Sequence, residues 1–184
     1  MNYLSLKYFA AILLLAILTI CPTLFAQDAI EIYQIDEPTT SVVDQKQIQC
    51  LAENIYFEAR GEPYLGKVAV ARVVMNRVDN AAFNDTPCEV IYESAYVTRV
   101  IDGTTRKVKV CQFSWACGPK RKIKEDDPMF VVSMKIAQKV LLTDAYRDII
   151  PKTMLFFHSA AIQPNWGYRQ AMRIGNHIFY SRHK

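Results

Sequence analysis

"NIYFEARGEPYLGKVAVARVVMNRV", residues 54–78, holds the end of one helix, a break, and a second helix. Working back from it, Ile48, Leu51, Ala52, Ile55 and Ala59 recur at three- and four-residue intervals, the period of one helix face. Gly61 and Pro63 end that pattern, and Asp44 with Gln47 three places on has the form of a capping box. The spacing therefore predicts a helix over 45–60. The next segment, 66–78, is apolar nearly all round apart from Arg72, Asn76 and Arg77, which predicts a helix buried at the centre of the domain.

Glu58 is the anomaly in this stretch. It lies seven positions after Leu51, so at about 100° per residue the two project in nearly the same direction. A carboxylate at the edge of an apolar stripe, beside Leu, Ile and Tyr56, resists ionisation because burial disfavours its charged form. The partial negative charge at a helix C-terminus acts in the same sense. Both effects suit a proton donor at neutral pH. The competing reading is a structural carboxylate satisfied by Arg60, Arg72 or Arg77, and helix geometry alone gives neither the advantage. Glu62 stands beyond the Gly61 stop, where it can cap the next helix or hold a substrate-facing arginine.

Further along, "YVTRVIDGTTRKVKV" (96–110) alternates on both sides of Asp102–Gly103, a hairpin signal. Pro128 opens a third helix through "MFVVSMKIAQKVLL" (129–142). The C-terminal segment predicts an extended piece, a Pro/Asn/Gly loop and a closing β segment through "GNHIFY" (175–180). The expected architecture is one α+β domain, mainly helical, with a small antiparallel sheet, over 44–184.

The N-terminus reads differently. Lys7 precedes an apolar run from Tyr8 to Ile20, and Ala26 follows at a position suited to cleavage, so 1–26 has the layout of a secretory signal. Retention as an uncleaved anchor is the alternative, and this is the only membrane contact expected. Residues 27–43 form a polar, acid-rich lead-in. From 184 residues, removal of 26 leaves 158, enough for one core; the net charge of +4 becomes +3 with the loss of Lys7. That mild charge suits an anionic wall polymer and lacks the clustered basic stripe of a nucleic-acid binder. The dense run "KRKIKEDD" (120–127) reads as a solvated loop. Cys50, Cys88, Cys111 and Cys117, an even set in an exported chain, favour disulfides, with three pairings open. No C-x-x-C or H-E-x-x-H spacing occurs, so no metal or other cofactor is expected.

"CLAENIYFEARGEPYLGKVAVARVVMNRV" (50–78) resembles the opening block of the SleB/CwlJ-type cell-wall hydrolases, and the resemblance continues through "CEVIY" (88–92), "CQFSWAC" (111–117), "FFHSAAIQPNW" (156–166) and "RIGNHIFY" (173–180). It covers nearly all of the chain beyond the leader, in order. It implies a lysozyme-like or lytic-transglycosylase-like fold, a cleft for peptidoglycan strands, and a single catalytic glutamate matching Glu58. It also implies cleavage of the β-1,4 bond between N-acetylmuramic acid and N-acetylglucosamine, either with an intramolecular hydroxyl (a lytic transglycosylase) or with water (a muramidase). No second acid occupies a comparable motif, which favours the former.

Around Glu58 the expected substrate-binding set is Glu62, Gln112, Ser114, Trp115, His158, Asn165 and Trp166. Gln112, Ser114 and Trp115 offer an aromatic face for a sugar ring and polar groups for its substituents, with Phe113 assigned to the core. His158 divides equally between a cleft contact and a structural bond. Asn165 and Trp166 sit in a loop, where binding groups concentrate. A monomer is expected. Two other classes compete: a metal-dependent wall amidase or peptidase using His158, His177 and Glu58, and a non-enzymatic glycan-binding protein.

Overall fold

The computed structural model describes residues 42–119, 121–143, 145–164 and 166–181. The expected signal segment, most of the lead-in and Asn165 lie outside the described residues. Four α-helices, a hairpin and a small sheet follow in chain order: α1 Val42–Ala59, α2 Tyr64–Val78, α3 Pro87–Tyr92, β1 Ser94–Ile101, β2 Thr104–Cys111, a 3-10 turn Ser114–Cys117, α4 Pro128–Thr143, a 3-10 turn Arg147–Ile149, then β3 Met154–Ser159, β4 Arg169–Ile174 and β5 His177–Ser181. No helix among the described residues is long and apolar enough to cross a membrane.

The predicted stripe of α1 is the buried one: Ile48, Leu51, Ala52, Ile55 and Ala59 are all inside. Leu51 and Ile55 are each fully buried, which stabilises the fold by about 1.5–3 kcal/mol apiece. They meet Val68, Ala71 and Val74 of α2, Val90 and Ile91 of α3, and Phe130, Ile136, Ala137 and Val140 of α4 in the larger of two clusters. The opposite face of α2 builds the second cluster, where Ala69 and Val73 pack on Ile150, Met154 and Phe179. α2 is thus the central helix its all-round apolarity predicts, with helices on one side and the sheet on the other. Its polar exceptions fasten it to β3. Asn76 Nδ2 donates to the carbonyls of Pro151 and Met154, at 3.0 Å each, and Arg77 Nε donates to that of Leu155 at 2.7 Å.

Several details depart from the sequence reading. α1 begins at Val42, so Asp44 lies within its first turn rather than before it. Gln47 does not close a capping box; its Oε1 accepts from Cys88 N at 2.9 Å and ties α1 to α3. No helix is expected from the sequence between residue 78 and the hairpin, yet α3 lies there, opened by Thr86. Its Oγ1 donates to Glu89 Oε2 at 2.9 Å and lies 3.4 Å from Glu89 N, with Pro87 in the first turn. The Cys50–Cys88 disulfide fixes the same α1–α3 junction, and Cys111–Cys117 closes the loop after β2, which resolves the pairing. The run ending at Asp127 is also more than a solvated loop. Asp127 Oδ1 accepts from Met129 N and Phe130 N and so caps α4.

The strands form two separate antiparallel sheets. β1 and β2 pair from Ser94↔Cys111 to Ile101↔Thr104 around a two-residue turn, and both turn residues, Asp102 and Gly103, have positive φ as a tight primed turn requires. The second sheet has the order β3-β5-β4 with β5 at its centre.

Candidate active site

Glu58 occupies the last turn of α1, half-buried and without a hydrogen bond or ion pair among the described residues. Burial pushes its pKa above the ordinary carboxylate value, and the positive charge of Arg77 acts in the opposite sense without reversing the shift. Arg77 is itself committed elsewhere. Its Nε is bound to Leu155 O, and its guanidinium lies over the rings of Phe83, Phe113 and Phe156 at 5.2–5.7 Å. Burial brings this arginine down to about 10, while the carboxylates of Glu93 and Glu58 both favour its charge. The outcome is a carboxyl group in the field of a buried cation without an ion pair to it among the described residues.

One turn before Glu58 on the same side of α1, Asn54 Oδ1 accepts from Trp115 Nε1 at 3.0 Å. Trp115 also stacks on Phe57, with ring centroids 4.7 Å apart and planes 29° apart. These two contacts hold the indole upright beside α1, where it lines a cavity of about 700 Å³ with Phe57, Tyr92, Arg121 and Met134. A smaller cavity of about 280 Å³ is lined by Glu93, Gln112 and the root of the β1–β2 hairpin. Glu58 lies on the wall of neither; it follows Phe57 of the larger and shares the field of Arg77 with Glu93 of the smaller. On the far side of α1, Tyr56 donates its hydroxyl to Asp127 Oδ2 at 2.9 Å, bracing the helix against α4.

The expected binding residues fall into two groups. Gln112 and Trp115 are half-buried and Ser114 is exposed, all three on the segment that follows β2. Gln112 N donates to Glu93 O at 3.0 Å, which keeps this segment at the hairpin root. Trp166 is 42% exposed and packs edge-on against His158 at 5.4 Å. Glu62 and His158 serve the scaffold instead. Glu62 Oε2 accepts from Asn176 N at 2.8 Å, and its carbonyl accepts from Lys67 Nζ. That carboxylate holds the β4–β5 turn, where Gly175 has φ +59 and a Cβ would lie 2.2 Å from Glu62 Oε2. His158 is buried, with Nδ1 bonded to Ser159 O and Nε2 to the Tyr180 hydroxyl, both at 2.7 Å. Of the two roles open to it, its geometry is that of the structural bond. His177 is likewise buried on β5, and burial lowers its pKa. Among the described residues no cluster of three His, Cys, Asp or Glu side chains is arranged to hold a metal.

Sequence reasoning missed Asn54 and Glu93. Asn54 carried a legible signal, since it precedes Glu58 by four residues and so shares its helix face. Glu93 carried none, because only the pairing of β1 with β2 brings it beside Gln112.

Residues 61–180 match the model of the family described as Cell Wall Hydrolase. The chain belongs to that family. A spore cortex-lytic enzyme of Bacillus cereus is 52% identical over 59 residues, covering 32% of this chain and 23% of that protein. A spore cortex-lytic enzyme of Bacillus subtilis (strain 168) is 32% identical over 136 residues, covering 72% of this chain and 36% of the relative. The chain therefore spans well under half the length of these relatives. The crystal structure of the catalytic domain of the Bacillus cereus SleB protein aligns with a TM-score of 0.51 and 27% identity, covering 74% of this chain and 91% of that domain. The α+β fold is that of this catalytic domain. The family match starts at Gly61, so Glu58 lies three residues ahead of it and its role rests on the geometry above.

Proposed function

We propose that this member of the Cell Wall Hydrolase family is an exported enzyme that cuts peptidoglycan glycan strands at the β-1,4 bond between N-acetylmuramic acid and N-acetylglucosamine, with Glu58 as its acid and base. The observation that carries the reading is the state of Glu58: a half-buried carboxyl whose pKa is raised by burial, unpaired, one helical turn from the residue that orients Trp115. The names of its relatives, spore cortex-lytic enzymes, and its membership of the family agree with a wall substrate.

In this reading protonated Glu58 donates to the glycosidic oxygen as the bond to the muramic C1 breaks. The carboxylate left behind is stabilised by Arg77, which is close enough to favour that charge and is prevented by Leu155 O and three aromatic rings from swinging onto it. The carboxylate then removes a proton from the muramic 6-hydroxyl, which closes on C1 to give a 1,6-anhydro sugar and restores protonated Glu58. Glu93, the other carboxylate in the field of Arg77, lies 3.4 Å from Gln112 Nε2 at the hairpin root. With Glu93 engaged by that amide, Glu58 is the carboxyl in the field of Arg77 without a hydrogen bond among the described residues, and a single such carboxyl favours the intramolecular hydroxyl over an activated water.

Mass spectrometry of the products released from purified sacculi tests the reaction type. Fragments one water lighter than reducing-end muropeptides are expected, undiminished by a chelator. Reducing ends would make the enzyme a muramidase. Peptide-bond cleavage that a chelator stops would overturn the glycan assignment.

A further inference from the structure

The β1–β2 hairpin has no evident part in the fold. Every residue of β1 is exposed, and on β2 only Val108 and Cys111 are half-buried. At about 3.3 Å per residue, eight-residue strands extend roughly 26 Å. A two-stranded ribbon of this kind is marginal by itself, and here it is anchored only at its root, by Cys111–Cys117 and by the Gln112 N to Glu93 O bond.

Its charge is one-sided. Arg99, Arg106, Lys107 and Lys109 lie on the strands, Asp102 in the turn is the single acid between Ser94 and Cys111, and none of the four cations is ion-paired among the described residues. The register places Arg99 directly opposite Arg106, so the two share a face with Ala95, Val97, Val108 and Val110. Like charges directly opposite across a ribbon are destabilising, and nothing described on the protein offsets the pair. This is also the face whose root, Ala95, Val97 and Val110, lines the 280 Å³ cavity with Glu93 and Gln112. The Arg99/Arg106 face therefore rises from the rim of that cavity, whose Glu93 shares the field of Arg77 with Glu58.

We propose that the Arg99/Arg106 face of the hairpin grips the carboxylates of the stem peptides on the strand being cleaved. The inference rests on the proposed function: the sugars of such a strand are uncharged, and its anionic groups are the carboxylates of the peptides attached to the muramic residues. Two planar guanidinium groups on one face match carboxylates in forked geometry, and the valines beside them accept the aliphatic parts of a peptide.

The test compares the wild type with Arg99→Gln/Arg106→Gln, and with Lys124→Gln/Lys152→Gln, two exposed cations off the hairpin, as the control. Each is sedimented with, and allowed to digest, stem-bearing peptidoglycan and glycan strands freed of their stems by an amidase, with the lactyl carboxylate that this leaves on each muramic residue capped as a neutral amide. The double arginine variant should sediment with stem-bearing wall about five- to tenfold more weakly than the wild type, the size of two exposed charge-assisted contacts. It should match the wild type on stem-free strands, and the control should match the wild type throughout. Equal sedimentation of variant and wild type on stem-bearing wall would overturn the proposal, as would an equal loss on both substrates. A matching loss on anionic vesicles would also overturn it, since the arm would then be a general polyanion contact. Sedimentation is read without turnover, so wild-type protein that releases no sugar fragments yet shows the stem-dependent difference would refute the enzymatic reading and spare this one.

Discussion

Glu58 carries a cost in stability that its proposed chemistry would explain. Burial raises its pKa, so its neutral form is the one the fold tolerates. The sign of the linkage follows. Stability is complete below the ordinary carboxylate value of 4.5, and is lost as the pH rises through the higher folded value. Glu58→Gln, neutral at every pH, should therefore melt with the wild type near pH 4 and above it at pH 7, in thermal scans across that range. In the proposed mechanism the same shift sets the pH dependence of catalysis. Activity that needs the protonated acid should fall on the alkaline side with a midpoint above that of an exposed glutamate. Because the charge of Arg77 opposes the shift, Arg77→Gln should move that midpoint to higher pH, read from kcat/KM profiles. Glu58 was legible in the sequence because a carboxylate on an apolar stripe breaks a pattern. Whether an arginine pairs with it could be read only from the structure, where Arg77 Nε donates to Leu155 O; the acid role itself is the proposal.

At the scale of elements, local patterns were read well where they repeat. The stripe of α1, the all-round apolarity of α2, and alternation about Asp102–Gly103 each found the right element, because period and turn chemistry are properties of neighbours in the chain. α3 was missed although Thr86, Pro87 and Glu89 spell a helix start, because six residues hold too little periodicity to register. Gln47 was misread because its partner, Cys88 N, lies 41 residues away. Such long-range pairings account for most of what the sequence withheld, and the Cys50–Cys88 bond is the strongest of them. It closes a loop across 38 residues and pins α3 to the helix that carries Glu58. Cys50→Ala/Cys88→Ala should lose about 3–4 kcal/mol in denaturant unfolding, on the loop-entropy account of disulfide stabilisation. Cys111–Cys117 spans only six residues, and its removal should cost less.

Across the whole molecule, α2 separates a helical layer that presents Glu58 from a sheet that supports it from behind. The residues around Glu58 are drawn from α1, the end of α2 and the segment after β2; Trp115 is tied to Asn54 and Arg77 to Leu155, while Tyr56 on the far side of α1 braces that helix through Asp127. In the proposed mechanism this arrangement holds one half-buried carboxyl that gives up a proton to a sugar oxygen. The most direct test is the clearance of purified sacculi by Glu58→Gln, with its circular dichroism and melting curve showing a folded protein. The account predicts at least about a hundredfold loss of clearance, the contribution of a positioned general acid, with sacculus binding retained. Clearance at the wild-type rate by the folded variant would contradict it.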